Sequence, residues 1–144
     1  MAVTAYFYNH GVLSLTNGLV DWEDDTIKVA LATSSYTPDK DAHDYFDDLT
    51  NEVSGTGYTA GGTGLANASG TIDAANDEVQ LDSDDVQWTT ASFTARYAVI
   101  YKSTGTASDS PLLGWQDFGE DKTASGGNFD IAVNAEGWFK TTQS

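Results

Sequence analysis

The side chains with the strongest claim to chemistry are carboxylates, and they come in runs. Asp82-Ser83-Asp84-Asp85, Asp73 to Glu78 and Asp21 to Asp25 each gather several hard oxygens within a few positions, the donor type that Ca²⁺ prefers. Asp82, Asp84 and Asp85 are the candidate Ca²⁺ ligands. None of the runs fits an EF-hand loop, whose glycine and terminal glutamate fall at the wrong offsets here. With 22 acids in 144 residues such clusters arise readily, and a solvated acidic face is the plainer use. His43, among Asp39, Asp44, Asp47 and Asp48, can be drawn as a metal or acid–base set because His43 and Asp47 stand one helical turn apart. His10 is the only other histidine, so no three-histidine zinc site can form. An exposed, helical His43 loosely paired with an acid is expected.

Gly55-Thr56-Gly57-Tyr58-Thr59-Ala60 formally fits the dinucleotide fingerprint. The Gly61-Gly62-Thr63-Gly64 that follows cannot open the helix whose N-terminus would hold a pyrophosphate. A flexible loop with tight turns is expected instead, and no cofactor. Serine and threonine are plentiful, yet no G-x-S-x-G elbow accompanies them. Carboxylate pairs for glycoside hydrolysis depend on a spatial separation that spacing does not give. No catalytic residue emerges, and the expectation is a protein that is not an enzyme.

The aromatic residues carry more weight. Trp88, Tyr97, Tyr101, Trp115, Phe118, Phe129, Trp138 and Phe139 lie in the second half, where alternation turns most of them inward. Trp115 and Trp138 each follow a glycine and are interface candidates, as are Tyr6, Phe7 and Tyr8, three consecutive aromatics in an uncharged stretch. That stretch reads either as an extended arm over residues 1 to 9, clasped by a neighbour, or as a first edge strand. Core or subunit packing is the favoured use of these rings; exposed Trp or Tyr stacked on sugar rings is the alternative. Arg96, the only arginine, is expected to form a bidentate pair with a carboxylate, inside the subunit or across an oligomer contact.

Short β elements must position these residues. Ile27, Val29 and Leu31 alternate with Lys28 and Ala30, which predicts a half-buried strand over 26 to 33. Further strands are expected at 71 to 73 and 78 to 82, joined by a turn at Ala74 to Asp77, and at 84 to 88, 95 to 102, 111 to 118, 129 to 133 and 137 to 141. Two short helices are expected in the first third. One lies within 10 to 20 and ends near Gly18; the other, over 39 to 49, lays Tyr45, Phe46 and Leu49 on the core. Residues 55 to 70 are rich in glycine and should cross as a loop. The fold class is all-β, an antiparallel sandwich or jelly roll in one domain over residues 1 to 144.

Composition narrows the partners. Six cations against 22 acids leave a net charge of −16, too few to neutralise a run of phosphates or hold an anionic membrane surface. The longest apolar runs, such as Tyr97 to Tyr101, fall far short of the roughly 20 residues that span a bilayer. No basic segment followed by an apolar one marks a signal peptide, and without cysteine there are no disulfides. Seventeen of the acids are Asp and five are Glu. Near 0.15 M salt, where screening reaches about 8 Å, this excess repels itself, whereas at 1 M the length falls to about 3 Å. Halophilic adaptation is the reading preferred to a mesophilic protein that is merely acidic.

Three segments in order, Asn51-Glu-Val-Ser-Gly-Thr-Gly-Tyr-Thr-Ala-Gly-Gly62, Thr94-Ala-Arg-Tyr-Ala-Val-Ile-Tyr101 and Pro111-Leu-Leu-Gly-Trp-Gln-Asp-Phe-Gly119, resemble a family of small structural proteins from the morphogenesis regions of tailed phages and prophages. Asp25 to Leu31 and Asp44 to Asp48 also fit, so the resemblance covers roughly residues 20 to 135. It implies a virion component without enzymatic activity, on the head exterior as decoration, turret or spike. Its partners would be other copies of itself, as a trimer or pentamer, and the major capsid protein or other virion neighbours, met during assembly in the host cytoplasm. Together with the acidity it implies a tailed virus of halophilic archaea. A host-recognition or carbohydrate-binding module of a tail or adhesion structure is the alternative.

Overall fold

A computed structural model describes residues 4 to 142; residues 1 to 3 of the expected arm lie outside them. The elements are β1 (Thr4–Phe7), α1 (Asn9–Thr16), β2 (Ile27–Ala32), β3 (Thr63–Gly64), β4 (Ser69–Asp73), β5 (Glu78–Asp82), β6 (Val86–Lys102), β7 (Leu112–Ile131) and β8 (Phe139–Thr142). They form two antiparallel sheets, a larger one ordered β1-β7-β6-β2-β3 and a smaller one ordered β4-β5-β8. The chain is all-β with one short α-helix, and the two sheets correspond to the expected sandwich.

The alternation in β2 sorts its side chains between two cores. Val29 and Leu31 join a cluster with Trp22, Ile100, Phe118, Trp138 and Phe139, on the side that the small sheet covers. Ala30 and Ala32 point the other way, to Tyr8, Tyr36, Val99, Leu112 and Trp115. The strand expected to be half-buried is therefore covered on both faces, the second by residues 33 to 50, with Phe46 and Leu49 packed over it.

Four expected strands merge into two. Most of 84 to 88 and all of 95 to 102 belong to β6, and most of 111 to 118 and of 129 to 133 to β7, because the polar stretches between them are bulged rather than broken. The register slips between Trp88 and Ala91, where Thr90 has φ 50°, and again where Ala95 pairs with Lys122 but Tyr97 with Asp117. Bulges of this kind bend a strand without ending it.

The second expected helix is absent. Residues 39 to 49 hold only a 3-10 turn at Phe46–Asp48. Asp39 accepts from the amides of Asp41 and Ala42, and Asp48 from those of Asp44 and Tyr45. These carboxylates capture the amides a helix would use, the competition that disfavours Asp inside helices. The segment instead bridges to β7, with Tyr45 opposite Pro111 and the Leu112 amide donating to the Asp44 carbonyl.

Candidate interaction surface

The glycine-rich segment forms a brace. Glu52 accepts the Tyr58 hydroxyl at 2.5 Å and the Gly61 amide at 2.7 Å. The Tyr58 oxygen in turn accepts the Leu31 amide of β2 at 2.9 Å, and Tyr101 donates to the Gly61 carbonyl at 2.6 Å. Gly62, at φ 78°, passes so near β2 that a Cβ would sit 1.8 Å from the Val29 carbonyl oxygen. The loop expected to be flexible is thus tied to the central strands by side chains and close backbone contact. Burial, reinforced by Glu52, pushes the Tyr58 phenol well above its ordinary range, and burial pushes Tyr101 up to about 12.

A second network closes the opposite face. The Tyr8 and Tyr36 hydroxyls are 2.7 Å apart, and Tyr36 is 2.9 Å from His43 Nδ1, which also accepts the Asp39 amide. His43 stacks on Tyr36 and is half-buried, so the expected exposed, helical His43 is corrected. Burial raises both phenols, Tyr36 to about 12 and Tyr8 beyond the ordinary range.

The acidic candidates separate. Asp82 accepts the Ser83 amide, Asp84 the Asn67 side chain and Asp85 the Val133 amide. Asp84 and Asp85 fasten two different segments while Asp82 bonds only to its neighbour, and among the described residues no three metal-binding side chains converge. The three Ca²⁺ candidates thus point to separate protein donors rather than to one another. Arg96 Nε meets Asp117 Oδ1 at 2.7 Å within the chain, and the same oxygen accepts the Gly119 amide. The pairing is through one nitrogen, not the expected bidentate fork, and it fastens the bulge opposite Arg96.

Of the aromatic interface candidates, Tyr8, Trp115 and Trp138 lie inside. Trp115 packs between Tyr6 and Tyr8, and Trp138 donates from Nε1 to Ser83. Their neighbouring glycines make room for core contacts. A Cβ on Gly114 would strike the Phe139 ring, and one on Gly137 the Leu81 carbonyl. Phe7 stacks on Phe139, half-buried, at a groove of about 570 Å³ between β1 and the loop leading into β8. Residues 4 to 7 pair with β7 as an edge strand, one of the two readings expected of the arm. Tyr6 alone of these candidates stands open, at 36%.

All four tryptophans are buried, which leaves the sugar-stacking alternative no open indole face. Other apolar side chains do reach solvent, and the sequence reading passed over them: Val12, Leu13 and Leu19 at α1, and Ile72 and Val79 on the small sheet. The overlooked signal was the lack of charge over the first twenty residues. Comparison of the chain with protein-family models, curated proteins and solved structures finds no match.

Proposed function

We propose that this chain is a non-enzymatic structural protein on the outer surface of a tailed-virus head, from a virus of halophilic archaea, where it stabilises the shell or presents a host-facing surface. The observation that carries the reading is where the phage-like segments fall. Asn51 to Gly62 forms the brace, and Thr94 to Tyr101 and Pro111 to Gly119 lie in or lead into the two central strands. The resemblance therefore rests on residues that build the framework.

The charge distribution supports the solvent part of the proposal. Of the 22 carboxylates only Glu78 is buried, and Lys140 pairs with it at 3.2 Å. The remainder forms a hydrated shell suited to concentrated salt. Partners on this reading are further copies of the chain, as a trimer or pentamer, and the major capsid protein. Purified protein added to expanded or undecorated heads in molar salt should sediment with them at a saturable ratio. Failure to bind heads, with binding to isolated host glycans instead, would favour the adhesion reading.

A further inference from the structure

The chain has seven asparagines, and only Asn17 is followed by glycine. Asn17 closes α1, its backbone amide donating to the Leu13 carbonyl, and Gly18 then turns the chain at φ 80°. Residues 16 to 19 are all exposed, and a Cβ on Gly18 would meet nothing within 4 Å. The left-handed turn accounts for the glycine. It also leaves the Gly18 nitrogen unshielded next to the Asn17 side chain.

The hydrogen bonds of this turn leave the reactive nitrogens free. Asn17 Oδ1 accepts the Leu19 amide at 3.1 Å, a bond that polarises the attached Cγ. Asn17 Nδ2 and the Gly18 amide bond to none of the described residues. Elsewhere the side-chain nitrogen is engaged: Asn9 donates to Asp41, Asn67 to Asp84 and Asn76 to Asp73. Asn51, Asn128 and Asn134 are followed by Glu, Phe and Ala, whose side chains crowd the next nitrogen.

We infer that Asn17 and Gly18 form a self-modifying site, where the asparagine converts through a cyclic imide to aspartate and isoaspartate without an enzyme. The Gly18 nitrogen loses its proton to solvent base and attacks Asn17 Cγ. The N–Cγ bond forms, the Cγ–Nδ2 bond breaks, and ammonia leaves with a proton from water. Water then opens the ring. Attack at the side-chain carbonyl breaks the new N–Cγ bond and gives aspartate; attack at the main-chain carbonyl breaks the original peptide bond and gives isoaspartate, with the chain rerouted through the side chain. The net change is one water consumed and one ammonia released. Closing the ring needs rotation about ψ of Asn17, which is 5°, and an exposed turn opens at small cost. Either product places the first charge in the first twenty residues, which hold no Asp, Glu, Lys or Arg. That carboxylate stands at the C-terminal end of α1, where the helix dipole disfavours an anion, so the end of α1 weakens as the protein ages. The site stands or falls separately from the head-surface reading.

Incubating the folded protein in molar NaCl at mildly alkaline pH, in water enriched in heavy oxygen, and mapping its peptides by mass spectrometry tests this. Asn17 should convert before any other asparagine and take up heavy oxygen, and isoelectric focusing should show the whole protein gaining one negative charge. Gly18→Ala should slow the conversion about tenfold, the effect of roughly 1.4 kcal/mol on a barrier. Because that variant also strains the turn, Asn17→Gln serves as the second: its longer side chain would need a six-membered ring, and position 17 should stay unconverted over the same period. In the converted fraction, amide hydrogen exchange over residues 9 to 16 should quicken. Conversion of another asparagine first, no conversion at Asn17 while the same chain in denaturant converts there, or an unchanged rate in Gly18→Ala would overturn the site. Unchanged exchange in the converted fraction would overturn the weakening of α1.

Discussion

Replacing Tyr58 with phenylalanine removes one oxygen and two hydrogen bonds. The hydroxyl donates to Glu52 at 2.5 Å and accepts the Leu31 amide at 2.9 Å, in a strand where Leu31 is wholly buried. Losing a hydrogen bond to a charged group costs about 1.5–3 kcal/mol, and orphaning a buried amide about 1–3 kcal/mol. Glu52 keeps the Gly61 amide, and Tyr58 is only partly buried, so water can reach part of the gap and the lower ends apply. The expected loss is about 2.5 kcal/mol, or roughly 9 °C of melting temperature at this chain length. Differential scanning calorimetry in constant molar salt reads it directly. Tyr6→Phe, at a ring whose hydroxyl bonds to none of the described residues, serves as the control and should change almost nothing. Combining Tyr58→Phe with Glu52→Gln should cost less than the two separate losses together, since both act on one network. A drop below about 3 °C for Tyr58→Phe would mean that the hydroxyl does not hold the glycine loop to β2.

Three further outcomes follow from the structure. Burial raises the Tyr36 and Tyr101 phenols to about 12 and holds Tyr8 and Tyr58 higher still. Below about pH 10 folded and unfolded chains both keep these protons; above it the unfolded chain releases protons that the folded one retains, so stability falls as pH rises. Ultraviolet titration should therefore find these four phenols protonated at pH 11 until the fold gives way, and full ionisation of a still-folded protein would refute the networks. The melting temperature should climb from 0.1 M to molar NaCl as screening shortens from about 10 Å to about 3 Å; a flat or falling curve would remove the halophilic reading. Adding a chelator at constant molar salt should leave the melting temperature unchanged, because Asp82, Asp84 and Asp85 each accept from a different protein donor; a fall would favour the Ca²⁺ site.

Alternation made β2, the β4–β5 hairpin and the second half of β6 legible, since a strand's two faces show directly in residue type. The continuity of β6 and β7 was hidden. Thr89-Thr90 and Gly126-Gly127 resemble chain breaks by composition but occupy bulges within paired strands. The missing helix over 39 to 49 has the same kind of cause, because Asp39 and Asp48 bond locally to amides in a way that apolar spacing does not reveal. Trp115 and Trp138 were drawn toward an interface by their glycine neighbours, which in fact clear space for Phe139 and the Leu81 carbonyl. Arg96 found its carboxylate, but the choice of Asp117 follows from a register shift that no local pattern encodes. The brace on Glu52 joins residues whose types are ordinary, and only the close pass of Gly62 over β2 explains why the segment needs its glycines.

The head-surface proposal is tested most directly by a density map of the intact virus particle that carries this chain, prepared in its native salt. Density for the β6–β7 hairpin, with its 17- and 20-residue strands, is expected on the outside of the head and in contact with the capsid lattice. Density for the same hairpin only in the tail or its fibres, or a particle assembled without the chain, would contradict it.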